Sequence, residues 1–257
     1  MAKKFYVVWK GRETGIFTDW NTCKKHVDQF PGARYKSFKT KEEAEQAFNG
    51  KPSSAALGTS NKRATASSSA NKGLKTYNGD EIAAMTMDTK VFTDGGCEPN
   101  PGEAGSGIAV YRNDVLDELW YGLYNPKGTN NTAELNALHQ ALLMAQSEIQ
   151  QDRSIAIYCD SKYSIQCITQ WAAGWQKKGW KKSGGEIKNL ALIKEMFALY
   201  QELKSDINIF HVNGHVGVEG NELADRMTMV AVERKDKSFS RFKDTLDIGT
   251  ILAMRAG

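Results

Sequence analysis

With 257 residues, 40% of them hydrophobic, the chain can form one ordinary domain and a smaller one, but its apolar runs are too short for a membrane span or a secretion signal. The net charge of +4 is uneven: +4 over residues 1–50, +3 over 51–86, −6 over 87–233 and +3 over 234–257. A basic head suits a polyanion, whereas an acidic centre suits bound cations.

The first 50 residues combine strand and helix patterns. Strands are predicted at residues 5–9, 16–17 and 35–38. Asp19 has the position of an N-cap for a helix that ends near Val27, and Thr40 and Glu43 resemble a capping box that opens a second helix. We therefore predict a small α/β domain over residues 1–50.

Residues 51–86 are rich in Ser, Ala, Gly, Asn and Lys and show no sustained periodicity. This composition is typical of a flexible tether, so we predict a linker over the whole segment. A second domain is expected over residues 87–233. The tail that follows, residues 234–257, has amphipathic spacing of its apolar residues, and the sequence assigns it no role.

The second domain shows strand and helix patterns in the order βββαβααβα. Strands are predicted at residues 90–93, 107–111, 116–124, 154–159 and 207–211, and helices at residues 133–149, 161–171, 186–203 and 221–233. The last helix is expected to take Asn221 as its N-cap. This order predicts an α/β fold with a mixed five-stranded sheet flanked by helices.

Four acidic residues are placed to meet at one edge of that sheet. Asp94 and Asp160 end two strands, and strand ends are where such sheets hold functional side chains. Glu134 and Asp225 lie near the starts of two helices, where either one alone is explained by its favourable charge at a helix N-terminus. Asp94 precedes two glycines, a setting that suits a hard cation better than core packing. Together the four acids predict a magnesium or manganese site.

Four segments occur in order along the second domain: Thr93-Asp-Gly-Gly, Thr132-Ala-Glu-Leu, Tyr158-Cys-Asp-Ser and Gly214-His-Val-Gly-Val-Glu-Gly-Asn-Glu-Leu-Ala-Asp. Over roughly residues 88–233 they resemble type 1 ribonuclease H, which implies a ribonuclease H-like fold. The resemblance also implies that the catalytic acids hold two Mg²⁺ ions, with Mn²⁺ as an alternative, and that His215 assists turnover. Those acids are Asp94, Glu134, Asp160 and Asp225.

Residues 171–182 interleave three tryptophans with four lysines. Core tryptophans with a solvated lysine face would give the same pattern, but the glycines and the density of lysines favour a phosphate-binding projection. The segment resembles the basic protrusion of the same family. That resemblance implies contacts with the DNA strand from Trp175, Lys177, Lys178, Lys181 and Lys182.

Small polar residues are expected beside the acids. The resemblance implies that Thr129 lies in a phosphate pocket and that Asn100, Asn130 and Asn131 recognise the nucleic-acid strands. Distinguishing RNA from DNA requires contacts with 2′-hydroxyl groups, which small polar side chains can make. As residues of turns and caps, the asparagines also have an ordinary structural explanation.

The head contains Phe30-Pro-Gly-Ala-Arg-Tyr-Lys-Ser-Phe together with several aromatic residues. Over roughly residues 4–49 it resembles a hybrid-binding domain. The resemblance implies that Tyr6, Trp20 and Tyr35 contact DNA sugars and that Lys36 meets phosphate, in line with aromatic and basic surfaces that bind nucleic acids in general. Trp9 and Phe38 are expected in the core of the head instead.

The resemblance predicts an endonuclease that hydrolyses the RNA strand of RNA/DNA hybrids by two-metal-ion catalysis, giving 5′-phosphate and 3′-hydroxyl ends. We expect a cytoplasmic monomer whose partner is the hybrid duplex, with neither a membrane nor a small-molecule cofactor involved. One alternative is a non-catalytic hybrid-binding protein, which would gain nothing from clustered acids beside phosphate. Another is an integrase-like DNA strand transferase, which the basic protrusion and the head disfavour.

Overall fold

The structure, a computed structural model, describes residues 5–10, 12–28, 30, 34–38, 40–48 and 74–257. The chain forms two compact units that divide at residue 68. Within the described residues, no helix is both long enough and apolar enough to cross a membrane.

The N-terminal unit is a three-stranded antiparallel sheet with two helices. Its elements are β1 (Phe5–Lys10), β2 (Gly15–Phe17), α1 (Trp20–Val27), β3 (Arg34–Phe38) and α2 (Lys41–Phe48). β1 lies between β2 and β3. Asp19 caps α1 as expected, because its carboxylate accepts a hydrogen bond from the Thr22 N–H at 2.8 Å. Val8 and Cys23 are fully buried between the sheet and α1, whereas Phe38 is only half-buried.

Some predictions for the N-terminal half fall on undescribed residues. The Trp9 and Glu43 side chains lie outside the described set, so the core position of Trp9 and the Thr40–Glu43 capping box stay predictions. Residues 51–73 of the proposed linker also lie outside it.

The linker prediction extends too far towards the C-terminus. Residues of its last third form β4 (Thr76–Tyr77) and α3 (Gly79–Ala83) in the second unit. A reciprocal capping box opens α3: the Asn78 side chain accepts from the Glu81 N–H, and the Glu81 carboxylate accepts from the Asn78 N–H. A two-residue strand has no periodicity to detect, which is why composition alone suggested a tether.

The second unit is built on a mixed sheet with the strand order β10-β7-β6-β5-β8-β9-β4. Its further strands are β5 (Thr89–Cys97), β6 (Gly102–Arg112), β7 (Val115–Gly128), β8 (Ile155–Cys159), β9 (Ile207–Val212) and β10 (Phe239–Arg241). β5, β6 and β7 are antiparallel neighbours, while β5, β8, β9 and β4 run parallel. The five predicted strands are confirmed, and the two short strands β4 and β10 extend the sheet at its edges.

Helices cover both faces of this sheet. They are α4 (Asn130–Ile149), α5 (Lys162–Gln166), a π-helix (Cys167–Trp171), α6 (Ala172–Lys177), α7 (Leu190–Leu203), α8 (Glu219–Arg234) and α9 (Ile248–Leu252). The apolar stripe of α4, including Leu135, Leu138 and Leu142, packs with α7 against one face. α8 and the tail cover the other face, where Phe242 and Ile251 are buried. The predicted α/β class is confirmed.

Three local predictions differ from the structure. The helix predicted at 161–171 is divided, because α5 is followed by a π-helix. The helix predicted at 186–203 begins only at Leu190. Asn221 is not an N-cap: α8 begins at Glu219, and Val218 occupies the cap position. The tail, to which the sequence assigned no role, contributes β10 and α9 to the second unit.

Candidate active site

Two parallel strands bring the first pair of acids together. β5 and β8 are neighbours, with Thr93 opposite Cys159, so Asp94 and Asp160 follow at the same edge. Asp94 is 7% exposed, and its Oδ1 accepts a hydrogen bond from the Gly95 N–H at 2.7 Å. Asp160 accepts a hydrogen bond at Oδ2 from the Asn221 side chain at 3.3 Å.

Two glycines allow helices to bring the other acids to this edge. A Cβ atom on Gly95 would lie 2.1 Å from the Glu134 backbone nitrogen, so α4 rests directly on β5. On the opposite face, a Cβ atom on Gly107 would lie 2.0 Å from the Ala224 carbonyl oxygen, so α8 approaches β6 as closely. Asp225 follows Ala224 and is 3% exposed. The absence of two side chains therefore places Glu134 and Asp225 beside the strand-end acids.

The four acids line one cavity of about 330 Å³. His215 lies at the same cavity on an exposed loop in the left-handed region, at φ 52°. Burial first, and then the charges of neighbouring carboxylates, raises the pKa of both Asp94 and Glu134 well above their usual values. Burial also raises the pKa of Asp160, against the hydrogen bond from Asn221. The acids repel one another, which favours binding of a cation among them.

The oxygen atoms of this cavity suit a divalent cation. Glu134 Oε2 and Asp160 Oδ1 are buried and accept no hydrogen bond from the described residues. Ligand atoms of Glu134 and Asp160 lie within 4.8 Å of each other, and those of His215, Glu222 and Asp225 form a second such group. Buried carboxylate oxygens without donors are the ligands that hard cations prefer. The residues present therefore fit a magnesium or manganese site.

Sequence reasoning missed three residues at this site. Asn221 is 2% exposed and binds Asp160, although its position near a helix start suggested a cap. Its spacing of four from Asp225 was the available signal, because residues i and i+4 share a helix face. Glu222 lies near His215, and Arg226 donates to the Asp225 carboxylate.

Residues 86–233 match the family described as RNase H, and this span contains all four acids and His215. The chain belongs to the RNase H family. It is a ribonuclease H, a hydrolase with nuclease activity, and members of this family generally depend on divalent metal ions. Residues 4–48 match a second family, described as the Ribonuclease H1 N-terminal domain.

Full-length relatives share both parts of the chain. Ribonuclease H1 of Homo sapiens is 34% identical over 90% of this chain and 90% of its own length, and that of Mus musculus is 33% identical with the same coverage. A Ribonuclease H of Acidovorax sp. (strain JS42) is 38% identical over 56% of this chain and 94% of its own length. A solved structure, LC9-RNase H1, has the same fold: its TM-score is 0.52 at 22% identity, over 66% of this chain and 82% of its own.

Of the four polar residues predicted beside the acids, Asn130 lines the cavity. The Asn130 side chain donates to Glu134 Oε1 at 3.2 Å, and the Asn130 N–H donates to the Asn100 side chain at 3.3 Å. Thr129 is the N-cap of α4, accepting from the Thr132 N–H at 3.2 Å. Asn131 is exposed in the first turn of that helix. Asn100 and Asn130 thus connect the acids to the neighbouring loop.

The basic segment, residues 171–182, has features of both interpretations: tryptophans that pack against the core and lysines that face solvent. Trp171, Trp175 and Trp180 are half-buried and pack against the main core, so the interpretation of these residues as core tryptophans is partly correct. The four lysines are exposed: Lys177, Lys178, Lys181 and Lys182. In this ribonuclease H the segment is therefore a basic surface anchored by its aromatic residues.

Three aromatic residues of the N-terminal unit form a continuous cluster, in which Trp20 and Tyr35 are exposed and Tyr6 is half-buried. The Trp20 ring lies 5.5 Å from that of Tyr6 and 5.8 Å from that of Tyr35, measured between centroids. Trp20 is 41% exposed and Tyr35 47%. Lys36 is also exposed, with its ammonium 5.7 Å from the centre of the Phe38 ring. The three aromatic residues predicted for hybrid binding therefore lie together, whereas Lys36 alternates with Tyr35 along β3 and points to the other face of the sheet.

Proposed function

We propose that this ribonuclease H is an endonuclease that hydrolyses the RNA strand of RNA/DNA hybrids with two Mg²⁺ ions, leaving 5′-phosphate and 3′-hydroxyl ends. The observation that carries the proposal is the single cavity shared by Asp94, Glu134, Asp160 and Asp225, with two buried carboxylate oxygens that lack donors among the described residues. The relatives named Ribonuclease H1 support the substrate class, as does the N-terminal domain match.

The four acids would hold the cations and orient the scissile phosphate. When bound there, two such ions would supply the activation of the attacking water and the stabilisation of the departing 3′-oxygen. Asn221 and Asn130 keep the Asp160 and Glu134 carboxylates in fixed orientations through their hydrogen bonds. His215 is exposed at the cavity edge, where an imidazole can exchange a proton with the leaving product.

Substrate contacts are proposed on two surfaces of the second unit, which contains the four acids and is called the catalytic unit from here on. The exposed lysines of the basic segment would bind phosphates of the DNA strand, with Trp175 beside them. Asn100, Asn130 and Asn131 would contact 2′-hydroxyl groups of the RNA, and Thr129 a phosphate. In the N-terminal unit, Tyr6, Trp20, Tyr35 and Lys36 would bind the same kind of duplex.

The test compares Asp94→Asn with wild type on a labelled RNA/DNA hybrid and on matched RNA and DNA duplexes, with Mg²⁺ and then with a chelator. We expect chelator-sensitive cleavage of the RNA strand in the hybrid alone, lost in the variant. Asp152→Asn is the matched control, because Asp152 lies in an exposed turn away from the cavity. Equal hybrid binding by all three proteins without cleavage would instead support the non-catalytic alternative.

A further inference from the structure

One buried histidine lies behind the acids and outside the cavity. His211, on β9, is 3% exposed and does not line the cavity that the acids share. Its strand neighbour is Thr76 of β4, which lies before the residues that match the RNase H family. None of the roles proposed above involves either residue.

Two hydrogen bonds connect Thr76 to the metal-site acid Asp160 through this imidazole. The Thr76 Oγ1 lies 2.8 Å from His211 Nδ1, and His211 Nε2 lies 3.1 Å from the Asp160 carbonyl oxygen. A carbonyl oxygen only accepts, so Nε2 carries the proton. In the neutral ring Nδ1 is then an acceptor, and the Thr76 hydroxyl donates to it.

Asp160 is therefore held from two directions. Asn221 donates to its carboxylate at 3.3 Å, and His211 donates to its carbonyl group. The loop after β9 also lies directly against the Asp160 carboxylate, since a Cβ atom on Gly214 would lie 2.7 Å from Asp160 Oδ2. A small shift of the Asp160 main chain would thus move the carboxylate relative to the other acids, and site geometry off by about 1 Å can reduce the rate about 100-fold.

We propose that Thr76 is a positioning residue for the metal site: its hydroxyl fixes the His211 ring, which in turn fixes the main chain of Asp160. This inference rests on the proposed function, because it assumes that Asp160 is a metal ligand. The proposal gives β4, which lies before the residues that match the RNase H family, a role in positioning the metal site. Removing a partner that orients a metal ligand from behind weakens metal binding by about 10- to 100-fold, and a residue one step further away has a smaller effect.

Thr76→Val tests the proposal, since valine keeps the shape and β-branching of threonine but leaves His211 Nδ1 without a donor. We expect the affinity for Mn²⁺, measured by calorimetry without substrate, and kcat on the hybrid both to fall about threefold to tenfold. The KM for the hybrid is expected to stay unchanged. Thr76→Ser, which retains the hydroxyl, should restore both values.

Tyr77→Phe is the matched control in the same strand, because the Tyr77 ring packs against Phe210 and the substitution keeps that ring. Wild-type values of kcat and Mn²⁺ affinity in Thr76→Val would overturn the proposal. So would a Thr76→Ser protein as impaired as Thr76→Val, which would indicate packing alone. A wild-type protein that binds Mn²⁺ yet does not cleave hybrids would contradict the proposed function instead, while the Mn²⁺ affinities still tested the role of Thr76.

Discussion

The Glu134 backbone lies against Gly95 with no space for a side chain, since a Cβ atom there would be 2.1 Å from the Glu134 nitrogen. We expect Gly95→Ala to displace α4 and separate Glu134 from Asp94. Overpacking of this kind costs about 1–3 kcal/mol or more in stability. Urea unfolding measures the stability, and hybrid cleavage should be abolished. Gly79→Ala is the control: nothing lies within 4 Å of its added methyl group, so stability should be unchanged or slightly higher.

Asn221→Ala removes the hydrogen bond to the Asp160 carboxylate. We expect kcat to fall about tenfold and the Mg²⁺ concentration for half-maximal activity to rise, because partners that orient metal ligands have effects of about that size. The KM for the hybrid should change little. Steady-state kinetics at several Mg²⁺ concentrations measure this. Asn208→Ala, at an exposed position of β9, is the control and should behave like wild type. Wild-type activity in the Asn221→Ala protein would contradict the role of Asn221 in orienting Asp160.

Glu148 gives the catalytic unit a defined pH dependence of stability. Burial alone would raise its pKa, but hydrogen bonds from Arg153, Arg112 and Thr89 outweigh burial and lower the pKa to about 2. A lowered pKa in the folded state contributes stability above the unfolded value of about 4.5, and this contribution disappears as the pH falls towards about 2.

The corresponding variant is Glu148→Gln. We expect it to be destabilised by about 1–3 kcal/mol at pH 7, and the difference from wild type should shrink between about pH 4.5 and pH 2. Urea unfolding at several pH values measures both quantities. Glu202→Gln, at an exposed position of α7, should show neither effect. A difference that is constant with pH would show that Glu148 contributes through packing alone.

The exposed lysines of the basic segment are expected to act through phosphate binding. Replacing Lys181 and Lys182 by Gln should raise the KM for the hybrid and spare kcat. The slope of log affinity against log salt should become less steep by about 0.7–0.9 for each phosphate that the protein no longer neutralises. Titrations between about 50 and 200 mM salt measure the slope. Lys204→Gln, at the exposed C-terminal end of α7, serves as the control; an unchanged slope in the double variant would argue against phosphate binding by these lysines.

Trp20→Ala interrupts the aromatic surface of the N-terminal unit between Tyr6 and Tyr35. Removal of one stacking side chain costs about 1–3 kcal/mol, so the Kd for the hybrid should rise about tenfold at fixed salt. Cleavage at saturating hybrid should be retained, because the acids lie in the other unit. Filter binding and kcat measurements separate the two effects, with Lys41→Ala as an exposed control.

Much of the catalytic fold could be predicted because its long strands and helices carry clear periodicity. Asp94 and Asp160 could be located at one edge from strand order alone. The contributions of Glu134 and Asp225 depend on how closely α4 and α8 approach the sheet, which Gly95 and Gly107 permit and no periodicity reveals. Asn221 was misjudged because an asparagine near a helix start has the same pattern whether it caps the helix or faces a buried acid.

Short elements and distant pairs could not be predicted at all. Thr76 lies in a two-residue strand that is defined by its pairing with β9, so composition indicated a linker there. The sequence favours a phosphate-binding projection over core tryptophans at residues 171–182, because lysine-rich composition does not reveal which aromatic rings pack against the core. Such contacts are properties of the tertiary structure.

The pairing of β4 with β9 also places the start of the catalytic unit before residue 76, and not at residue 87 as the sequence predicts. A catalytic fragment beginning at residue 87 would leave one sheet edge uncovered and remove the donor to His211. A fragment beginning before residue 74 would retain both. Chimeras that exchange N-terminal domains between relatives should therefore be joined before β4, so that this strand and the donor to His211 stay with the nuclease.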